Sequence, residues 1–274
     1  MDPESPHQKK PVKPRKVRLD ELLVGRGLAE SRSQAQRMIL AGEVSVGDRV
    51  VDKAGQAVPE NADVHVATSM RYVSRGGLKL EHALQAFAVE PIGWTCADIG
   101  ASTGGFTDCL LQHGALKVYA VDVGYGQLAW SLRQDPRVVS MERVNIRSLE
   151  RLPEPVQLAV VDVSFIGLEL VLPRVAPLLA PGGMVIVLIK PQFQVGKGQV
   201  GKGGVVRDPA LHRSAIESVL HAAAALDLAP AALARSPITG PAGNVEFLAL
   251  LMLGGLAPDA LQAEHWLQDV IERA

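Results

Sequence analysis

Cysteine is nearly absent from this chain. Cys96 and Cys109 are the two in 274 residues, both in apolar surroundings and at a spacing that suits neither a disulfide framework nor a metal site. A reducing compartment is therefore expected. Long apolar runs are missing too. Proline, glycine or charge interrupts every candidate within about a dozen residues, short of the ~20 that a bilayer-spanning helix needs. The first residues lack the apolar centre of a signal peptide. These absences argue against a secreted disulfide scaffold and against a membrane span, and the expectation is a soluble cytoplasmic protein. What is present fits that class. Hydrophobic residues make up 47% and charged ones 21%, enough to bury a core in one large domain plus a small one.

Net charge is also small, at −1, but it is unevenly placed. Residues 1 to 80 carry fourteen Lys and Arg against ten Asp and Glu, a net +4, and the rest of the chain carries a net −5. A basic first part beside a mildly acidic second one suggests that the first meets a polyanion. Residues 1–16, MDPESPHQKKPVKPRK, read as a disordered basic arm. From Arg18 the texture becomes helical. Leu19, Leu22 and Leu23 share a face, then Ser31 caps a second helix that Gly42 stops, and EVSVGDRVV alternates around a tight turn as a hairpin. The segment RLDELLVGRGLAESRSQAQRMILAGEVSVGDRVV resembles the S4 RNA-binding domain, with Gly47-Asp48 where that family commonly has Asn-Gly. The expected division is an S4-like domain over 17–68, a linker over 69–78 and a second domain over 79–274.

The second domain alternates strands and helices. Its strands are expected in TCADIGA, KVYAVDVG, VVSMERVN, VQLAVVDVS, GMVIVLIKP, AALARSPI and VEFLALLML, giving an α/β, doubly wound Rossmann-like sheet of seven strands with the last antiparallel. In such a sheet ligands bind beyond the carboxyl ends of the strands. The first strand leads into DIGASTGGFTDCLL, where Asp98, Gly100, Ser102, Gly104, Gly105 and Phe106 form or follow a glycine-rich turn before a helix. Asp122 ends the second strand, where a carboxylate accepts ribose hydroxyls, and Asn145 ends the third, where an adenine edge would be read. Asp98 would repel a diphosphate yet suit a cationic amine, and the loop departs from the dinucleotide fingerprint. S-adenosylmethionine thus fits better than a nicotinamide cofactor.

Four ionisable residues then fall near one rim: Lys79 in the helix entering the domain, Asp162 after the fourth strand, Lys190 after the fifth and Glu246 before the last. Each has a plain alternative, Lys79 as a helix-surface charge and Glu246 as an edge-strand cap, but together they read as a site. With SRGGLKL, DIGASTGGFTDCLLQHGA, VVDVSFI, LIKPQFQVGK and GNVEF, nearly the whole chain from Arg18 onward resembles the TlyA family of bacterial ribosomal RNA 2′-O-methyltransferases. Some members of that family also carry the name haemolysin. The resemblance implies an FtsJ-like catalytic domain whose Lys-Asp-Lys-Glu tetrad falls on Lys79, Asp162, Lys190 and Glu246. It also implies S-adenosylmethionine as cofactor and ribosomal RNA, not DNA, as partner, with cytidine in 23S RNA as target and 16S RNA as a second candidate. Lys190 would orient a ribose hydroxyl and stabilise its developing charge, or accept its proton. Arg18, Arg26, Arg32 and Arg37 of the first domain, Arg71 and Arg75 of the linker, and Lys197 and Lys202 of the loop QVGKGQVGKGGVVRD are expected to meet RNA. The competing readings are a membrane-active haemolysin, an RNA-binding protein without catalysis, and a pseudouridine synthase, which shares the S4 domain.

Overall fold

A computed structural model describes residues 15–47, 49–66 and 71–272. The basic arm expected over 1–16 lies outside them as far as residue 14, and Lys16 already belongs to a strand. The chain divides into two units, 1–70 and 71–274.

In the first unit β1 (Lys16–Arg18) pairs antiparallel with β4 (Ala57–Pro59), and β2 (Val44–Val46) lies between β3 (Arg49–Val50) and β5 (Val64–Val66). Helices α1 (Leu19–Gly25) and α2 (Arg32–Ala41) pack on one another. Ser31 caps α2 by accepting the Gln34 N–H at 3.2 Å, and Gly42 ends it in the left-handed region. The periodic apolar positions close the core: Leu19, Leu23, Ala35 and Ile39 are fully buried, with Val44 beside them.

The second unit opens with α3 (Gly76–Ala86), so the segment expected as linker through 78 already holds the first residues of a helix. Then follow β6 (Thr95–Ile99), α4 (Gly105–Gln112), β7 (Lys117–Asp122), α5 (Trp130–Gln134), β8 (Val138–Glu142), β9 (Val156–Val161), α6 (Leu172–Val175), β10 (Leu179–Ile189), α7 (Pro191–Gln194), α8 (Pro209–Ala224), β11 (Leu228–Arg235), β12 (Phe247–Leu253) and α9 (Ala260–Glu272). The seven strands lie in the order β11-β12-β10-β9-β6-β7-β8, and β12 runs antiparallel to both neighbours. Strand periodicity explains why MVIVLI is apolar throughout. Val185, Val187 and Ile189 enter the core that also holds Ile216 and Val219 of α8, while Ile186 and Leu188 enter the core that holds Leu80 of α3 and Leu110 of α4. Both faces are covered by helices, so neither can be polar, and chemistry is left to the strand ends.

Candidate active site

Strand order reverses between β6 and β9, the place where an open parallel sheet leaves a crevice. A cavity of about 510 Å³ lies there, lined among others by Gly100, Ser102, Asp122, Asn145, Asp162 and Phe165. Its floor depends on one glycine. Gly100 has φ +88, and a Cβ placed on it would stand 2.4 Å from the carbonyl oxygen of Asp162, so backbone meets backbone where a side chain cannot fit. Asp122 organises the wall. Its Oδ2 accepts the Ser102 N–H at 2.7 Å and its Oδ1 accepts the Gly124 N–H at 2.6 Å. Each oxygen keeps a second lone pair for a ligand hydroxyl. The size lies within the range of small-molecule sites, and the donor set suits a nucleoside.

Beside the cavity the four ionisable residues form two pairs. Lys79 Nζ donates to Glu246 Oε2 at 2.5 Å, with the two side chains 9% and 1% exposed. Lys190 is ion-paired with Asp162 and donates to Ser164 Oγ at 3.0 Å. Topology brings the pairs together. The antiparallel register matches Ile189 with Phe247, so one further step sets Lys190 across from Glu246, while Asp162 follows directly on β9, the other neighbour of β10. Two ammonium groups and two carboxylates withdrawn from water at one rim are costly to assemble unless paired, and here they are paired. Of the four, Asp162 lines the large cavity.

Several expected positions sit elsewhere. Asp98 is fully buried, and its Oδ2 accepts both Thr107 N–H at 2.9 Å and Thr107 O–H at 2.6 Å. Burial pushes its carboxyl up to about 7, the Thr107 bonds oppose that, and Asp162 and Asp122 add to it. It braces the start of α4 and does not line the cavity. Gly104 and Gly105 point inward, toward Leu132 and toward Ser74, and Phe106 is packed in the core. The third strand ends at Glu142, not Asn145. Asn145 lines the cavity while its Oδ1 accepts the Arg147 N–H at 3.0 Å.

The basic residues divide as well. Arg18 and Arg32 both donate to buried Asp20, at 2.9 to 3.0 Å. The Arg18 hydrogen bonds lead in holding the Asp20 carboxyl well below the usual range against its burial, with Gln36 and Arg32 adding to them. Arg26 donates to the Glu60 and Ala62 carbonyls. These three are exposed yet tied into their own unit, and Arg37 and Lys202 are exposed as well. Arg71 pairs with Glu81 and lies 5.5 Å from the Tyr72 ring centroid. Arg75 immediately precedes α3, and Lys197 lies in a short turn of the loop after α7.

Three residues at the site carry no sequence signal of their own. Ser164 takes the Lys190 bond, Gln127 lines the cavity, and Phe165 is 91% exposed with φ +65. A phenylalanine held in the left-handed region and in water is doubly unfavourable. In VVDVSFIGLEL it looks like one more core residue.

Comparison with known proteins agrees with this architecture. The FtsJ-like methyltransferase model matches residues 72–252 and the S4 domain model matches residues 17–64. The 16S/23S rRNA (cytidine-2′-O)-methyltransferase TlyA of Mycobacterium tuberculosis is 47% identical over 264 residues, which covers 95% of this chain and 97% of that one. Hemolysin A of Brachyspira hyodysenteriae is 41% identical, covering 85% of this chain and 98% of its own. The solved structure of a candidate hemolysin from Streptococcus thermophilus is 42% identical, covers 96% of each chain and superposes with a TM-score of 0.74.

Proposed function

The chain belongs to the TlyA family of FtsJ-like methyltransferases with an N-terminal S4 domain, and from that premise we propose that it methylates a ribose 2′-hydroxyl of ribosomal RNA. The target is cytidine in the large-subunit RNA, with the small-subunit RNA a second candidate, the reaction belongs to the cytoplasm, and the S4 unit engages the RNA. The observation that carries this reading is the pair of lysine–carboxylate contacts at the ends of β9, β10 and β12 beside a nucleoside-sized cavity.

S-adenosylmethionine would supply an electrophilic methyl group, held by the turn at Gly100 and Ser102 and by Asp122 and Asn145. The chain's own task is to prepare the nucleophile. A ribose hydroxyl ionises far above neutrality, so it gains nucleophilicity by sharing its proton and having its developing charge met. Asp162 and Ser164, which both line the pocket, fix the Lys190 ammonium, so it can orient that hydroxyl oxygen and stabilise charge on it. Glu246 fixes Lys79 in the same way, and Lys79 adds positive field at the rim. A membrane-active reading finds less support, because no helix among the described residues is long and apolar enough to cross a bilayer.

The test is transfer of label from methyl-tritiated S-adenosylmethionine to purified ribosomal subunits, followed by nucleoside analysis. Label in 2′-O-methylcytidine is expected. Label confined to a base, or absent from both subunits while the cofactor binds, contradicts the proposal.

A further inference from the structure

A second, shallower cavity of about 360 Å³ adjoins the first, and Phe165 and Ile166 line both. Its other walls include Gly167, Gln192, Phe193 and Val195. The Phe165 and Phe193 ring centroids are 5.0 Å apart. The pocket opens beside the reacting rim: Phe165 follows Ser164, which holds Lys190, and Gln192 lies two residues beyond Lys190. Such walls suit a flat, largely apolar ligand with one polar edge.

Gln192 is the polar side chain among these residues, and its Oε1 is shielded from solvent with no hydrogen-bond partner among the described residues. Its neighbour Gln194 differs, since its Oε1 accepts the Leu168 N–H at 3.3 Å and serves the fold. A shielded acceptor without a donor is a standing cost to the native state, and a ligand N–H arriving in the pocket would remove it. The terminal torsion of a glutamine is soft, so a small rotation can present Oε1 to an incoming group.

We infer that Gln192 is a specificity-determining residue that reads the target base, its Oε1 accepting the exocyclic amine of cytosine. Cytosine offers an N–H donor at the position where uracil offers a carbonyl acceptor. Uracil would set acceptor against acceptor with the amide oriented as it stands, Oε1 inward, and would pair only if the amide turned to offer Nε2. This inference rests on the ribosomal RNA reading above and adds to it the group that selects the base.

The experiment compares wild type, Gln192→Leu and Gln192→Glu on ribosomal subunits carrying either cytidine or uridine at the nucleotide that wild type methylates. Wild type should favour cytidine by about 100-fold in kcat/KM. Gln192→Leu should lose about 10- to 100-fold on cytidine and bring the cytidine-to-uridine ratio toward one, with cofactor affinity unchanged. Gln192→Glu retains only acceptors at that edge and should keep the preference. An unchanged ratio in Gln192→Leu overturns the inference, whether or not overall activity falls, while the methylation reading survives. If Gln192→Leu does not fold, loss of the preference in Gln192→Glu overturns it. Failure of wild type to methylate either subunit sinks the underlying reading and this inference with it.

Discussion

Asp98 and Phe165 each hold a conformation or protonation state that folding alone would not favour. For Asp98 the native state binds a proton more tightly than the unfolded chain does, since burial lifts its carboxyl from 3.8 to about 7. Between those values the native state holds more protons, so this residue's contribution to stability falls as pH rises from about 4 to about 7. Asp98→Asn, which can still accept from Thr107, should flatten that part of the curve. It should also raise stability at pH 8 by at most a few kcal/mol, at ~1.4 kcal/mol per pKa unit. Denaturant melts at pH 5 and pH 8 check this, and a gain at pH 5 equal to that at pH 8 would contradict it. Phe165→Gly should relieve the left-handed backbone and stabilise the fold by about 1 kcal/mol, and lower methyl transfer to RNA at saturating cofactor. Calorimetry and a transfer assay on one preparation separate these effects. Neither residue is legible as such in the sequence. Asp98 looks like a ligand group because it stands at a strand end, and only the position of Thr107 shows it turned toward α4. Phe165 looks like core because composition does not report exposure.

Among the elements, β12 and the loop after α7 are tied together by a side chain that its motif makes easy to pass over. Asn244 is 2% exposed, and its Oδ1 accepts the Val206 N–H at 2.9 Å while its Nδ2 donates to the Gly204 carbonyl at 2.8 Å. Two residues later stands Glu246. Asn244→Ala should cost about 2 kcal/mol through unpaired buried groups and open the loop between 196 and 204 to protease in the otherwise folded protein. A melting temperature and cleavage rate equal to wild type would contradict this. The seven strands are legible because fully covered parallel strands must be apolar on both faces, and the runs around Val160 and Val187 can be little else. Their ends are less so. The third strand stops at Glu142, because Arg143 turns the backbone into the left-handed region, and Asn145 then spends its side chain capping the next short turn. The antiparallel β12, which delivers Glu246 to the rim, is what makes a tetrad spread from residue 79 to residue 246 possible.

For the whole molecule, the surplus of basic residues in the first 80 positions points to a polyanion, but the net figure overstates what is free. Arg18 and Arg32 are spent on Asp20, and Arg26 on backbone carbonyls, so Arg37→Ala should weaken RNA binding and reduce its salt slope by about one. Arg32→Ala should instead lower stability, and equal effects of the two substitutions on RNA affinity would contradict the division. We propose that Lys190, just past β10, prepares a ribose hydroxyl for methyl transfer at this rim. The most direct measurement is single-turnover transfer of labelled methyl to ribosomal subunits by wild type and Lys190→Ala, with cofactor affinity measured on both. Cofactor affinity should be unchanged and the transfer step slower by at least about 100-fold. Transfer by Lys190→Ala at the wild-type rate would show that the chemistry lies elsewhere.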